Sequence, residues 1–136
     1  MTTLLVWSKS NLPIGDLQLL ENSHASGVLR LTQADYVIDQ TTYFRNQIFG
    51  GLVWRSIDGK EMANANFKLI TGNVDHGIFN LAISYKPSWE SNQNNYTTGL
   101  HWGNALGIVQ NPALVGKKLS LYKATNEAYD FLIKID

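Results

Sequence analysis

The chain contains no cysteine, which excludes disulfides and thiolate metal sites and permits a reducing compartment. An excess of one charge is missing too: eleven Lys and Arg balance eleven Asp and Glu, for a formal net charge of zero. A protein that holds nucleic acid mainly through phosphates carries a visible basic excess, so this balance counts against a nonspecific binder. It leaves open a reader that concentrates a few arginines and lysines on one face. No apolar run approaches the length of a membrane span, and the opening MTTLLVWSKS lacks a signal peptide's basic head and apolar middle. A cytoplasmic location is therefore expected. Gly-x-Ser-x-Gly, a phosphate-cradling glycine loop and paired carboxylates in a recognisable frame are all absent. His24, His76 and His101 have no histidine at i+4 and no HExxH context, which leaves only weak support for zinc ligation. Asp58, Glu61 and Lys68 could be arranged as a metal-nuclease triad, but Asp58-Gly59 is better explained as a turn. No catalysis, metal or cofactor is expected.

What is present is a chain of 136 residues, read as one domain over 1–136 and long enough to bury a core without staples. The most informative stretch runs from Gly77 to Gly103. Ile78, Asn80, Ala82 and Ser84 fall on one face and Phe79, Leu81, Ile83 and Tyr85 on the other, the period-2 pattern of a half-buried strand. Pro87 ends it, since proline has no N–H for a ladder. Further strands are expected at Thr3–Trp7, at Val28–Leu31 with Arg30 turned away, and as a pair over Thr42–Phe49 and Leu52–Ile57. Asp58-Gly59 signals a hairpin into a strand over Glu61–Ile70, and Gly72-Asn73 with His76-Gly77 brackets the next turn. Leu17–Leu20 suits a short strand or a helical turn, and Thr32–Gln40 fits either. GNALG after Trp102 reads as a turn or short helix, followed by strands over Lys118–Lys123 and Tyr129–Ile135. Seven to nine short strands at regular spacing predict an all-β barrel or sandwich with at most one or two short helices.

Two polar clusters stand out. The first is the loop after Pro87: Ser88, Trp89, Glu90, Asn92, Gln93, Asn94 and Asn95, with Lys86 before it. Asn and Gln offer a donor and an acceptor in one plane, which suits an adenine edge or a sugar's vicinal hydroxyls. Trp89 could stack on a base or a pyranose, and Glu90 could accept from a cytosine amine or from hydroxyls. Equally, Asn and Ser are ordinary turn residues. The second cluster is Arg30, Gln33, Asp35, Gln40, Tyr43 and Arg45. Arg pairs with guanine and Gln with adenine in the major groove, although such arginines also serve as solvated strand faces. Phosphate contacts would fall to Lys60, Lys68, Lys86, Lys117 and Lys118.

Two segments, GVLRLTQADYVIDQTTYFR at Gly27–Arg45 and SNQNNYTTGLHWG at Ser91–Gly103, resemble parts of the C-terminal half of restriction endonucleases that carry a phospholipase-D-type nuclease half. In that family the other half is a DNA-recognition domain similar to the plant B3 pseudobarrel. The resemblance covers Leu17 to Ile135. It implies a seven-stranded open pseudobarrel with one or two short helices and two arms that clasp the major groove of double-stranded DNA. Arg30, Gln33, Gln40 and Arg45 would belong to one arm, and Trp89, Glu90, Gln93, Asn94 and Asn95 to the other. The nuclease half's histidine, with a lysine two residues on and a following aspartate, is absent here. The chain alone is therefore expected to bind without cutting, with a nuclease domain or subunit as a partner.

A carbohydrate-binding β-sandwich competes with this reading, since neutral charge, tryptophan and an Asn-rich loop suit a glycan. A structural or interaction β domain is the third. The DNA reading expects Arg30, Arg45 and a lysine on one concave face. The carbohydrate reading expects Trp89 or Trp102 exposed in a shallow site. The structural reading expects both tryptophans buried and an apolar patch at an oligomer interface.

Overall fold

A computed structural model describes residues 2–12, 28–31, 42–86 and 98–136. The described strands are β1 (Thr2–Lys9), β2 (Val28–Leu31), β3 (Arg55–Ile57), β4 (Lys60–Thr71), β5 (Val74–Tyr85), β6 (Thr98–His101), β7 (Leu119–Thr125) and β8 (Phe131–Ile135). All belong to one mixed sheet in the order β1-β7-β8-β4-β5-β6-β2. The short β3 shares β4's β8-side edge, pairing Arg55–Ile57 with Lys60–Met62 while β8 pairs with Phe67–Thr71. The sheet curls into an open half-barrel, the barrel rather than the sandwich of the two architectures that the strand spacing allows, and no second sheet faces it among the described residues.

Alternation in the sequence decides which face is dry. Along β4, Ala63, Ala65, Phe67 and Leu69 are buried while Asn64 is exposed and Asn66 half-buried. On β5, Leu81 and Ile83 are buried and Ile78 and Asn80 face solvent. The β3–β4 and β4–β5 turns need left-handed backbone, and the chain supplies residues that tolerate it. Asp58 and Gly59 have φ of 51° and 79°, the paired positive angles of a type I′ hairpin, and Gly72 opens the second turn at 57°.

Inside the curl, Phe67 of β4 stacks on Phe131 of β8 at 5.2 Å between centroids, and Phe49 meets Phe131 edge-on at 5.0 Å. Trp7 of β1 packs edge-on against Phe44 at 5.6 Å. These side chains are almost wholly withdrawn from water, each worth about 1.5–3 kcal/mol of apolar burial.

Four elements depart from the sequence expectation. Tyr43–Ile48 is a wide helical turn rather than a strand, closed by Phe49 N–H donating to the Phe44 carbonyl at 2.8 Å. The physical reason is spacing: Phe44, Ile48 and Phe49 are all buried, and a pleat would send the neighbours Ile48 and Phe49 to opposite faces, whereas positions four and five on from Phe44 share one side of a wide helical turn. Consequently Leu52–Ile57 has no strand partner there, and its last residues pair with β4 instead. His76 and Gly77 lie within β5, not in a turn; Gly77 has φ of 93° beside the register shift between Lys68 and Ile70, so the glycine marks a bulge. The final strand starts at Phe131 rather than Tyr129. GNALG is helical, as a 3-10 turn Gly103–Ala105 that runs into a one-turn helix Leu106–Val109. Leu17–Leu20, Thr32–Gln40 and the loop Ser88–Asn95 lie outside the described residues.

Candidate functional site

One row of backbone pairs crosses an end of the sheet. Leu31, the last residue of β2, stands opposite Thr98, the first of β6. Thr98 stands opposite Tyr85, the last residue of β5, Tyr85 opposite Glu61, and Glu61 opposite Ser56. The chain therefore leaves the described sheet after Leu31 and after Tyr85 at the same rim; the description resumes at Thr42, just ahead of the helical turn, and at Thr98, the first residue of β6.

Arg45 ties the helical turn to this rim. Its guanidinium donates from Nη2 to Glu61 Oε1 at 2.9 Å, and it lies 4.3 Å from the Trp54 ring centroid and 5.8 Å from that of Tyr85. The side chain is 21% exposed and that of Glu61 38%, so solvent screens the ion pair and it is worth at most about 1 kcal/mol. A guanidinium stacked on aromatic faces contributes a similar amount. Trp54 is oriented in turn by its indole N–H, which donates to the Phe49 carbonyl at 3.0 Å, and its ring meets that of Tyr85 edge-on at 6.4 Å. Among the described residues Arg45 Nε is buried and meets no hydrogen-bond partner, and the same is true of Thr98 Oγ1 in that row of strands. Guanidinium geometry suits planar acceptor pairs such as phosphate, carboxylate or the guanine edge.

On the outer face an amide chain crosses three strands. Arg55 Nη2 donates to Asn64 Oδ1 at 3.2 Å, Asn64 Nδ2 to Asn80 Oδ1 at 3.2 Å, and Asn80 Nδ2 to Asn66 Oδ1 at 3.1 Å. Nearer the rim, His101 Nε2 lies 3.0 Å from Ser84 Oγ. Burial lowers the imidazole's pKa, with the positive charge of Lys60 adding to the shift. A hydroxyl beside an imidazole is the beginning of a nucleophile–base arrangement. Ser84, however, is 2% exposed, and among the described residues no carboxylate meets the ring, so the pair joins β5 to β6.

Of the sequence-predicted site residues, the structure brings Arg45 to the rim at the root of the polar loop, where Lys86 is half-buried. Tyr43 is committed to the fold: its hydroxyl donates to the Val6 carbonyl and its ring packs edge-on against Phe44. Arg30 stands opposite Gly99 in the β2–β6 ladder, and its side chain is outside the description. Gln33, Asp35, Gln40, Ser88, Trp89, Glu90, Asn92, Gln93, Asn94 and Asn95 lie outside the described residues. Trp102 is fully buried, which removes it as a sugar-stacking platform. Sequence reasoning had not singled out Trp54, Glu61 and Tyr85 as partners of Arg45. The available signals were weak, namely a tryptophan just after Gly50-Gly51 and a tyrosine just before Pro87. Among the described residues no three His, Asp or Glu side chains converge as metal ligands would, and no helix is long and apolar enough to cross a membrane.

Comparison of the chain with protein-family models, curated proteins and solved structures returns no match, so fold and site rest on this chain's own residues.

Proposed function

We propose that this chain is a noncatalytic domain that reads double-stranded DNA sequence in the major groove, in the manner of B3-like recognition domains. One arm is the segment from Arg30 to Arg45, and the other runs from Lys86 to Asn95. What supports the reading is the common root of the two arms. Both leave the sheet from one row of paired residues, Leu31–Thr98–Tyr85–Glu61, with the Arg45 guanidinium held over that row. Two polar segments springing from β2 and β5, with β6 between them, can straddle a ridge of base edges, and arginine, glutamine and asparagine have the planar donor sets that base edges require. Arg55 and Lys60 belong to the hairpin at this end of the sheet, and with Lys86 they supply phosphate contacts that set register without reading sequence. Zero net charge then limits the sequence-independent component of binding.

A selection from a random duplex library, at low and then physiological salt, tests the reading. A short consensus that survives the higher salt supports a sequence reader. Uniform retention that vanishes with salt, or none at all, rejects it.

A further inference from the structure

We infer that the cleft at the end of the sheet opposite the rim binds a free α-amino acid with an apolar side chain. The cleft has a volume of about 320 Å³. That is the low end of the roughly 300–1,000 Å³ of small-molecule sites, and it limits the occupant to one small molecule. It lies where β4 and β8 finish: Thr71, the last residue of twelve-residue β4, stands opposite Ile135, the last of β8. Glu61 and the rim are at the other end of the same strand, so the cleft is separate from the Arg45 site. Its remaining walls come from the segment that leads into β7, with Asn111, Leu114 and Lys117, and from Asp136. Leu114 and Ile135 belong to the core and give the cleft an apolar base.

The polar groups of the cleft fall into a donor pair and an acceptor pair. Asn111 uses its Oδ1 to accept the Ala113 N–H at 3.0 Å, which leaves the Nδ2 hydrogens for another acceptor. Among the described residues no carboxylate meets the Lys117 ammonium. Together these two side chains present donors and a positive charge, the complement of a carboxylate. Thr71 Oγ1 lies 2.7 Å from His76 Nε2, and whichever atom donates, the hydroxyl oxygen keeps a lone pair. The Asp136 carboxylate meets Lys134 Nζ at 3.6 Å, a long contact that leaves it open to a second cation. Hydroxyl and carboxylate together accept from an ammonium. A molecule with a carboxylate and an ammonium on one carbon answers both pairs at once, and its side chain falls toward Leu114 and Ile135. A plain anion would face Asp136 and a plain cation Lys117, so each is disfavoured. Lys117 and Asp136 are exposed, which weakens each ion pair, and dissociation constants of about 0.1–10 mM are expected.

Amide NMR shifts of the whole labelled chain, titrated with alanine, leucine and phenylalanine into the tens of millimolar, test the inference. At least one of the three should move the Thr71, Gly72 and Lys117 amides saturably. For the amino acid that binds most tightly, the analogue without its ammonium and the analogue without its carboxylate should each bind at least about fivefold more weakly. Lys117→Met and Asp136→Asn should weaken the amino acid itself by a similar factor. Lys123→Met, which removes an exposed lysine from β7, should leave binding unchanged. The dispersion of each variant's spectrum reports that it is folded. Three amino acids without saturable shifts at these amides, analogues that bind as tightly as the amino acid, or folded Lys117 and Asp136 variants with the parent's affinity would each overturn the proposal.

Discussion

Arg45 and Glu61, sixteen residues apart, close the joint between the helical turn and the sheet with one hydrogen bond of 2.9 Å. In the DNA reading that joint sets one arm against the other. Arg45→Ala should weaken specific duplex binding by about tenfold or more, the loss expected for one bidentate contact or its positioning. Its effect on stability should stay near 1 kcal/mol, because the pair is partly exposed. Glu61→Gln leaves the arginine in place and should retain binding. Fluorescence anisotropy on a selected duplex, beside urea melts, separates these outcomes; unchanged affinity for Arg45→Ala would remove it from the arm.

Asn66 and Asp130 are bound twice through the backbone. The Asn66 N–H donates to Asp130 Oδ2 at 2.9 Å, and the Asp130 N–H returns to the Asn66 carbonyl at 2.8 Å. This clasp sits where β8 joins β4, just before their first registered pair, Phe67 and Phe131. Asp130→Ala should lower the urea midpoint by the equivalent of about 1 kcal/mol with no change in slope. Asn66→Ala keeps both backbone groups and should cost within about 0.5 kcal/mol. Equal losses in the two variants would contradict this account.

The His101 imidazole gives a pH signature. Burial, and then Lys60, depress its folded pKa, so below the ordinary imidazole range the unfolded chain binds the additional proton. Stability is then complete above that range and is lost as pH falls from it toward the folded value. Denaturant midpoints for the parent should decline on acidification through this window, and His101→Gln should flatten the decline. A parent curve flat from neutral to mildly acidic pH would refute the assignment.

Phe67 lies between Phe131, stacked on it, and Phe49, and it is wholly buried. Truncation to alanine leaves both neighbouring rings facing a void, so Phe67→Ala should destabilise by about 3–5 kcal/mol. Calorimetry reads this directly, and Ile78→Ala, at a position 48% exposed, serves as the contrasting change.

Much of the sheet was legible because its signals are local. Asp58-Gly59 demands a hairpin, and the alternation of Ala63, Ala65, Phe67 and Leu69 with amides decides which face is dry. The helical turn at Tyr43–Ile48 was harder, since two aromatic residues side by side satisfy strand propensity as readily as a helical face. Only the burial of Phe44, Ile48 and Phe49 together decides between them. The Arg45 site was half legible: the arginine announced itself by type. Its partners Trp54, Glu61 and Tyr85 come from three separate stretches, and nothing local in the sequence ties one stretch to another.

The position of β8 has a consequence for biosynthesis. It follows every other described strand in sequence, yet it lies between β7 and β4 and is what joins β1-β7 to β4-β5-β6-β2. On the ribosome, the seven other described strands emerge before their link does, leaving two part-sheets whose facing edges, one on β7 and one on β4, await β8. Its parallel pairing to β4 spans more than sixty residues, the kind of long-range closure that slows folding. Those waiting edges are where a nascent chain of this protein is most exposed to chaperones and to premature association.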